Sequence, residues 1–272
     1  DRVTHAASLV AYNKACQSFV YIGKYLEQIR EVDKIPSLLN AIPSEMHQEQ
    51  FASQMKHLFI PPRVWEKDEI TIVCGPGFET WDANSVQTGL GGSEEAIVYM
   101  AKELTKLGWR VTVYANPAKP KEIDGVQYKI WRDLNPKDQF NVLILWRSIG
   151  FVDVNPVSRF IMLWLHDVPN NPDFTEERIA KIDKIAVLSD YHKSLLRLHK
   201  DGLFSAMPSD KIFVTSNGIT SLPIEEWNGN PHRIIYASSF DRGVVYLLQN
   251  WKKIRDAVPD AELHIFYGWN LY

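Results

Sequence analysis

The sequence predicts an α/β fold built on a parallel sheet, and three observations carry that reading. After residue 62 short apolar runs alternate with helical stretches. One of those runs, 159–165, is apolar enough to be buried on both faces, as strands of a covered parallel sheet are. A strand–helix–strand unit then recurs near residue 233.

Composition sets the outer bounds. A chain of 272 residues with 45% hydrophobic and 23% charged residues has material for one large domain or two, and disordered and fibrous classes are excluded. A formal net charge of -3 gives no electrostatic reason to expect DNA, RNA or an anionic membrane as the main partner. Cys16 and Cys74 are the only cysteines, too few for a disulfide framework and too far apart in sequence for a metal-ligand pair, so the expectation is a reducing, cytoplasmic setting. No apolar run approaches the roughly 20 residues that cross a bilayer. The opening Asp1-Arg2-Val3-Thr4-His5 has neither an initiator methionine nor a signal peptide's apolar core, and the chain is expected to begin inside a longer reading frame.

Each element has its own signal. Over 6–32, Leu9, Tyr12, Cys16, Phe19, Leu26 and Ile29 follow the three-and-four spacing of an amphipathic helix, which Pro36 is expected to stop. A second helix is expected from Ser44 as N-cap and Glu45 in the first turn, with Phe51, Met55 and Leu58 on one face, ending before Pro61-Pro62. These two helices carry no recognisable chemistry. Strands are predicted at 70–74, 110–115, 126–131, 142–146, 159–165, 184–188 and 211–214. Between the first two lies a long polar loop, 79–93, and then a helix with Ser93 as cap, Glu94 and Glu95 facing its dipole, and Gly108 closing it. The recurring unit reads as a strand at 233–237, a turn at Asp241-Arg242-Gly243, a helix to about residue 257 and a strand at 262–266. The organisation expected is a helical N-terminal extension at 1–62, a Rossmann-like parallel sheet with flanking helices at 63–219, and a hinge with a partial second Rossmann-like domain at 220–272.

Several short motifs arrive in one order. They are Gly91-Gly92-Ser93-Glu94 before a long helix, the strand "GWRVTVY" after it, His166-Asp167 after a buried strand, Ser189 before a helix, Asn217-Gly218-Ile219 at the hinge, and Arg242-Gly243 ahead of the last helix. Over 70–269 this set resembles the GT-B glycosyltransferases, above all the retaining group 1 (family 4) enzymes. The resemblance implies transfer of a sugar from a nucleoside diphosphate sugar to the hydroxyl of a glycan or small-molecule acceptor, with no cofactor beyond that co-substrate. It implies His166 and Asp167 as catalytic residues facing the donor sugar. The implied donor- and substrate-binding residues are Gly91, Gly92, Ser93, Glu94, Arg147, Asn217, Gly218, Ser239, Arg242 and Gly243.

The residues support these roles chemically. Glycines before a helix let a ligand approach the backbone, and the first N–H groups of that helix favour an anion or a polarised oxygen. Residues just past a buried strand stand at the carboxyl edge of the sheet, where α/β proteins bind ligands. Arg242 at a helix start suits a diphosphate, although the family commonly has lysine there. A second basic residue five positions earlier in many relatives is replaced here by Ala237, beside Ser238 and Ser239. No Asp-x-Asp occurs, so the expectation is a metal-independent reaction.

A donor domain of this kind needs on the order of 100 to 150 residues, so residues 220–272 are expected to hold only its opening strands, with little or no activity in this chain. The apolar face of the last helix, Leu247, Leu248, Trp251 and Ile254, is then expected to seek cover, with a homodimer through this segment as one solution. Two alternatives stand beside this reading: a non-catalytic scaffold or binding module, and a sugar-nucleotide epimerase or phosphorylase on the same fold. A dinucleotide-dependent oxidoreductase fits poorly, because the glycines do not follow their strand directly and no acidic residue ends the strand at Tyr114-Ala115-Asn116.

Overall fold

The computed structural model describes residues 2–42, 50–77, 79–167, 173–198, 210–218 and 229–266. The expected cap at Ser44 and Glu45, Ile219 and most of the hinge lie outside the described residues. The chain divides into two compact units, Asp1–Gly218 and Ile219–Tyr272.

The first unit opens with a helical layer. Helix α1 (Arg2–Gln28) packs on α3 (Gln50–Phe59), with α2 (Ile35–Asn40) beside them. Phe19 and Phe51 stack with ring centroids 5.5 Å apart, over a small core of Ile35, Leu39, Phe51 and Met55. A Cβ at Gly23 would lie 3.2 Å from side-chain atoms of both Leu58 and Met55. Gly23 of α1 thus faces α3 at close range. Pro36 does not stop α1. The helix already ends at Gln28, Arg30 turns with φ 61, and Pro36 instead opens α2, where its missing N–H costs nothing.

The sheet has the order β3-β4-β2-β1-β5-β6-β7-β8. Its strands are β1 (Glu69–Val73), β2 (Arg110–Ala115), β3 (Lys121–Ile123), β4 (Val126–Ile130), β5 (Gln139–Trp146), β6 (Val157–Trp164), β7 (Lys184–Val187) and β8 (Ile212–Val214). All pairings are parallel except β3 with β4, a hairpin whose turn residues Asp124 and Gly125 have φ 53 and 78. Of its two strands β4 is among those predicted and β3 is not, although Asp-Gly is the usual signature of such a turn. On one face Ile70, Ile72, Val111, Val113, Ile144 and Trp146 pack under α4 (Gly92–Lys106). On the other face Leu143, Leu145, Ile161, Leu163, Ile185 and Val187 are covered by residues of α5 (Glu176–Ala180) and α6 (Asp190–Leu198), including Ile179 and Leu196. Burial on both faces explains why these strands read as continuous apolar runs.

Two details of α4 differ from expectation. Its N-cap is Gly91, in extended conformation, and Ser93 sits in the first turn, where its hydroxyl donates to Glu94 at 2.8 Å. The loop before it is no uninterrupted polar stretch. Trp81 is buried, and Asp82 and Ser85 cap a 3-10 turn at Ala83–Gln87. At the other end Gly108, φ 91, closes a Schellman motif: Trp109 N–H donates to Leu104 at 3.1 Å and Gly108 N–H to Thr105 at 3.0 Å.

The second unit contains β9 (Arg233–Tyr236), a 3-10 turn (Phe240–Arg242), α7 (Val244–Ala257) and β10 (Glu262–Ile265), with β9 and β10 paired in parallel. Among the described residues, no helix of the chain is long and apolar enough to cross a membrane.

Candidate functional site

Strand order locates the site. The chain runs from β1 outward through β2 to β4, then returns to β5 on the other side of β1 and continues to β8. The carboxyl ends of β1 and β5 therefore flank the switch point, where adjacent loops diverge and leave a crevice. A cleft of about 660 Å³ opens there. Its floor is Val73-Cys74-Gly75-Pro76-Gly77 after β1 and Trp146-Arg147-Ser148 after β5, while Glu94 enters from the first turn of α4. Trp131, Arg132 and Leu134 after β4 and Phe151 line it too, as do Ser53, Gln54 and His57 of α3.

Arg147 is the pivot. Its φ is 64, and Ser148 N–H donates back to the Trp146 carbonyl at 2.7 Å, so Arg147 is the centre of a tight γ-turn, a strained backbone for a residue with a side chain. The turn ends β5 abruptly and sets the guanidinium between two carboxylates. It pairs with Asp167 and stands 3.9 Å from Glu94, and its cation lies 5.1 Å from the Trp146 ring centroid. Glu94 folds back over its own helix N-terminus, where a Cβ on Gly91 would clash with its carboxylate; a Cβ at Gly92 would meet nothing within 4 Å. Gly91 therefore leaves the space that the Glu94 carboxylate occupies, and Gly92 leaves open backbone.

His166 extends β6 on the same face. Its ring centroid lies 4.7 Å from that of Trp164 and 6.1 Å from that of Trp146. Burial first, then the positive charge of Arg147, push its pKa down to about 4, so the imidazole is neutral at neutral pH. Its Nε2 is buried with no hydrogen-bond partner among the described residues, as are the indole nitrogens of Trp146 and Trp164. Cys74 is no nucleophile in this setting, because burial and then the charge of Glu94 push its thiol pKa up, away from the reactive thiolate.

Sequence reasoning missed His192. It is buried in α6, its Nδ1 accepts from Leu188 N–H at 3.4 Å, and its Nε2 therefore donates to the Asp167 carbonyl at 3.0 Å. Ser189 caps the turn, accepting from His192 N–H at 3.0 Å. The backbone that carries the Asp167 carboxylate to Arg147 is thus anchored from below.

The structure brings Glu94, Arg147, His166 and Asp167 together, with Gly91, Gly92 and Ser93 at the helix start beside Glu94. Asn217 and Gly218 are exposed beyond β8, three strands away from β5 in the sheet. Ser239, Arg242 and Gly243 belong to the second unit. There Ser239 accepts from Arg242 N–H at 3.0 Å, Gly243 with φ 110 is the N-cap of α7, and Arg242 is exposed at the start of that helix.

No family model matches this chain, and no curated protein matches its sequence. The geometry of the cleft and its charged edge is therefore the basis for function. Among the missed residues, Gly75-Pro76-Gly77 carried a readable signal, a glycine-rich turn directly after a buried strand. The contribution of α3 carried none, since only the packing of the helical layer brings it to the switch point.

Proposed function

We propose that the first unit is the acceptor side, and the second unit part of the donor side, of a GT-B glycosyltransferase, which moves a sugar from a nucleoside diphosphate sugar to a hydroxyl with retention and without a metal or cofactor. The observation that carries this reading is the convergence of Glu94, Arg147, His166 and Asp167 beside a cleft at the switch point. On this reading the acceptor occupies the cleft of the first unit. His166 and Asp167 serve the transferred sugar, and within the second unit Arg242, the N-terminus of α7 and the Ser239 turn are groups suited to a diphosphate. A neutral imidazole suits a sugar hydroxyl better than an imidazolium, because it can accept as well as donate. No protein nucleophile is required: the basic groups and helix dipoles stabilise the departing diphosphate, and one of its oxygens helps remove the acceptor proton.

The test is calorimetric titration with UDP, GDP and their common sugar conjugates, followed by assay of nucleoside diphosphate release. Both the 272-residue chain and the longest reading frame that contains it are measured. Binding and transfer by the longer protein, reduced about a hundredfold or more when Arg147 is replaced by methionine, is the expected result. A longer protein that binds no nucleotide sugar ends the transferase reading and leaves the scaffold alternative in its place.

A further inference from the structure

The helical layer assigned no chemistry by its sequence forms part of the wall of the cleft. Ser53, Gln54 and His57 lie at successive turns of α3 and all reach the cleft. The layer is tied down there, because α3 packs against the turn Trp131–Asp133 and Lys137 stands 3.6 Å from Glu27 of α1. Burial lowers the pKa of His57, so its imidazole is neutral at neutral pH and offers one ring nitrogen as a donor and the other as an acceptor. The charges facing His57 are Asp133, Asp138 and Lys56, with Arg132 in the same cleft.

The other walls constrain what fits. Trp131, Trp146 and Phe151 offer flat apolar surface. The cations are already engaged: Arg147 with Asp167 and Glu94, and Arg132 with its guanidinium 5.0 Å from the Trp131 ring centroid. A cleft of about 660 Å³ with flat walls, engaged charges and neutral donors and acceptors along one side suits an uncharged, hydroxyl-bearing ring compound.

We propose that α3 is the specificity wall of this cleft, with Gln54 and His57 hydrogen-bonding the hydroxyls of a neutral cyclic polyol or glycoside whose ring lies against Trp131 and Phe151. The role of that ligand as acceptor rests on the sugar-transfer reading; its binding does not.

The experiment uses the whole chain and a panel of p-nitrophenyl hexosides, with glucose 6-phosphate and p-nitrophenol as controls, observed by saturation-transfer NMR and tryptophan fluorescence. At least one neutral hexoside binds the wild type more tightly than glucose 6-phosphate does. Gln54→Trp, a bulky change at an exposed position, abolishes binding, and Gln54→Leu and His57→Leu each weaken it about three- to tenfold while p-nitrophenol changes by less than about twofold. Unchanged circular dichroism melts show that the variants remain folded. The inference is overturned if no neutral hexoside binds, if glucose 6-phosphate binds better, or if the α3 variants bind as the wild type does. Nucleoside diphosphate release is followed separately. A protein that binds hexosides through α3 but transfers nothing retains the specificity wall and loses the transferase reading.

Discussion

Arg147 combines a strained backbone with a side chain that bridges two carboxylates, and the two properties can be separated. Arg147→Ala and Arg147→Gly both remove the cation, but only alanine must still hold a φ near 64. The glycine variant should therefore be more stable than the alanine variant by about 1 kcal/mol in urea unfolding, while both lose the same binding function. Equal stabilities would mean that the γ-turn opens once the side chain is gone. His166 supplies a pH dependence. Its folded pKa of about 4 lies below the ordinary histidine value near 6.5, so the unfolded state binds the proton more readily between those two values. Stability is then highest above about pH 6.5, falls as pH drops from 6.5 towards 4, and loses no more from this group below its folded pKa. Arg147→Met should move the His166 titration upward in NMR by removing the second cause of the depression, with burial still holding it below the ordinary value. A wild-type His166 that titrates near 6.5 would refute the buried environment.

At the scale of elements, α4 depends on its C-terminal glycine and α1 on its internal one. Gly108 has φ 91 and a Cβ there would touch nothing within 4 Å, so the cost of Gly108→Ala is purely conformational, about 1 to 2 kcal/mol in chemical denaturation. No measurable loss would show that the Schellman turn rearranges freely. Gly23 presents the opposite case, an ordinary helical backbone with neighbours at 3.2 Å. Gly23→Leu must push α1 from α3 and should cost about 1 to 3 kcal/mol. Because α3 lines the cleft, the same substitution should also weaken hexoside binding, although residue 23 is not part of the cleft lining. The parallel strands, α4 and the β9–α7–β10 unit were legible because apolar runs, capping residues and glycine stops are local signals. Strand β3 was missed because it is only three residues long, and Ser93 was misread as a cap because Gly91 can adopt the same extended conformation without a side chain.

At the scale of the molecule, the second unit exposes Ile235, Tyr246, Leu248 and Phe266, which are 63%, 73%, 50% and 65% exposed. Leu247, Trp251 and Ile254 are half-buried, so Leu248 is the exposed member of the predicted α7 face. Sedimentation velocity at micromolar concentration should detect self-association that Tyr246→Lys together with Phe266→Lys abolishes. A strictly monomeric wild-type chain at that concentration would count against the homodimer expected through this segment.

The sequence by itself determined the α/β class, the location of most strands, and the residue types at the strand ends, because these follow from periodicity, burial on both faces and local turn chemistry. It also singled out Glu94, Arg147, His166 and Asp167, but not the ion pairs that join them. Their meeting depends on strand order: β1 between β2 and β5 sets the switch point, and residues 94 and 167 reach Arg147 from opposite sides of it in the chain. Only the tertiary structure decided that α3 walls the cleft and that His192 anchors Asp167. Contacts between elements so distant in sequence arise from how separate apolar faces are buried together, and no local pattern records that.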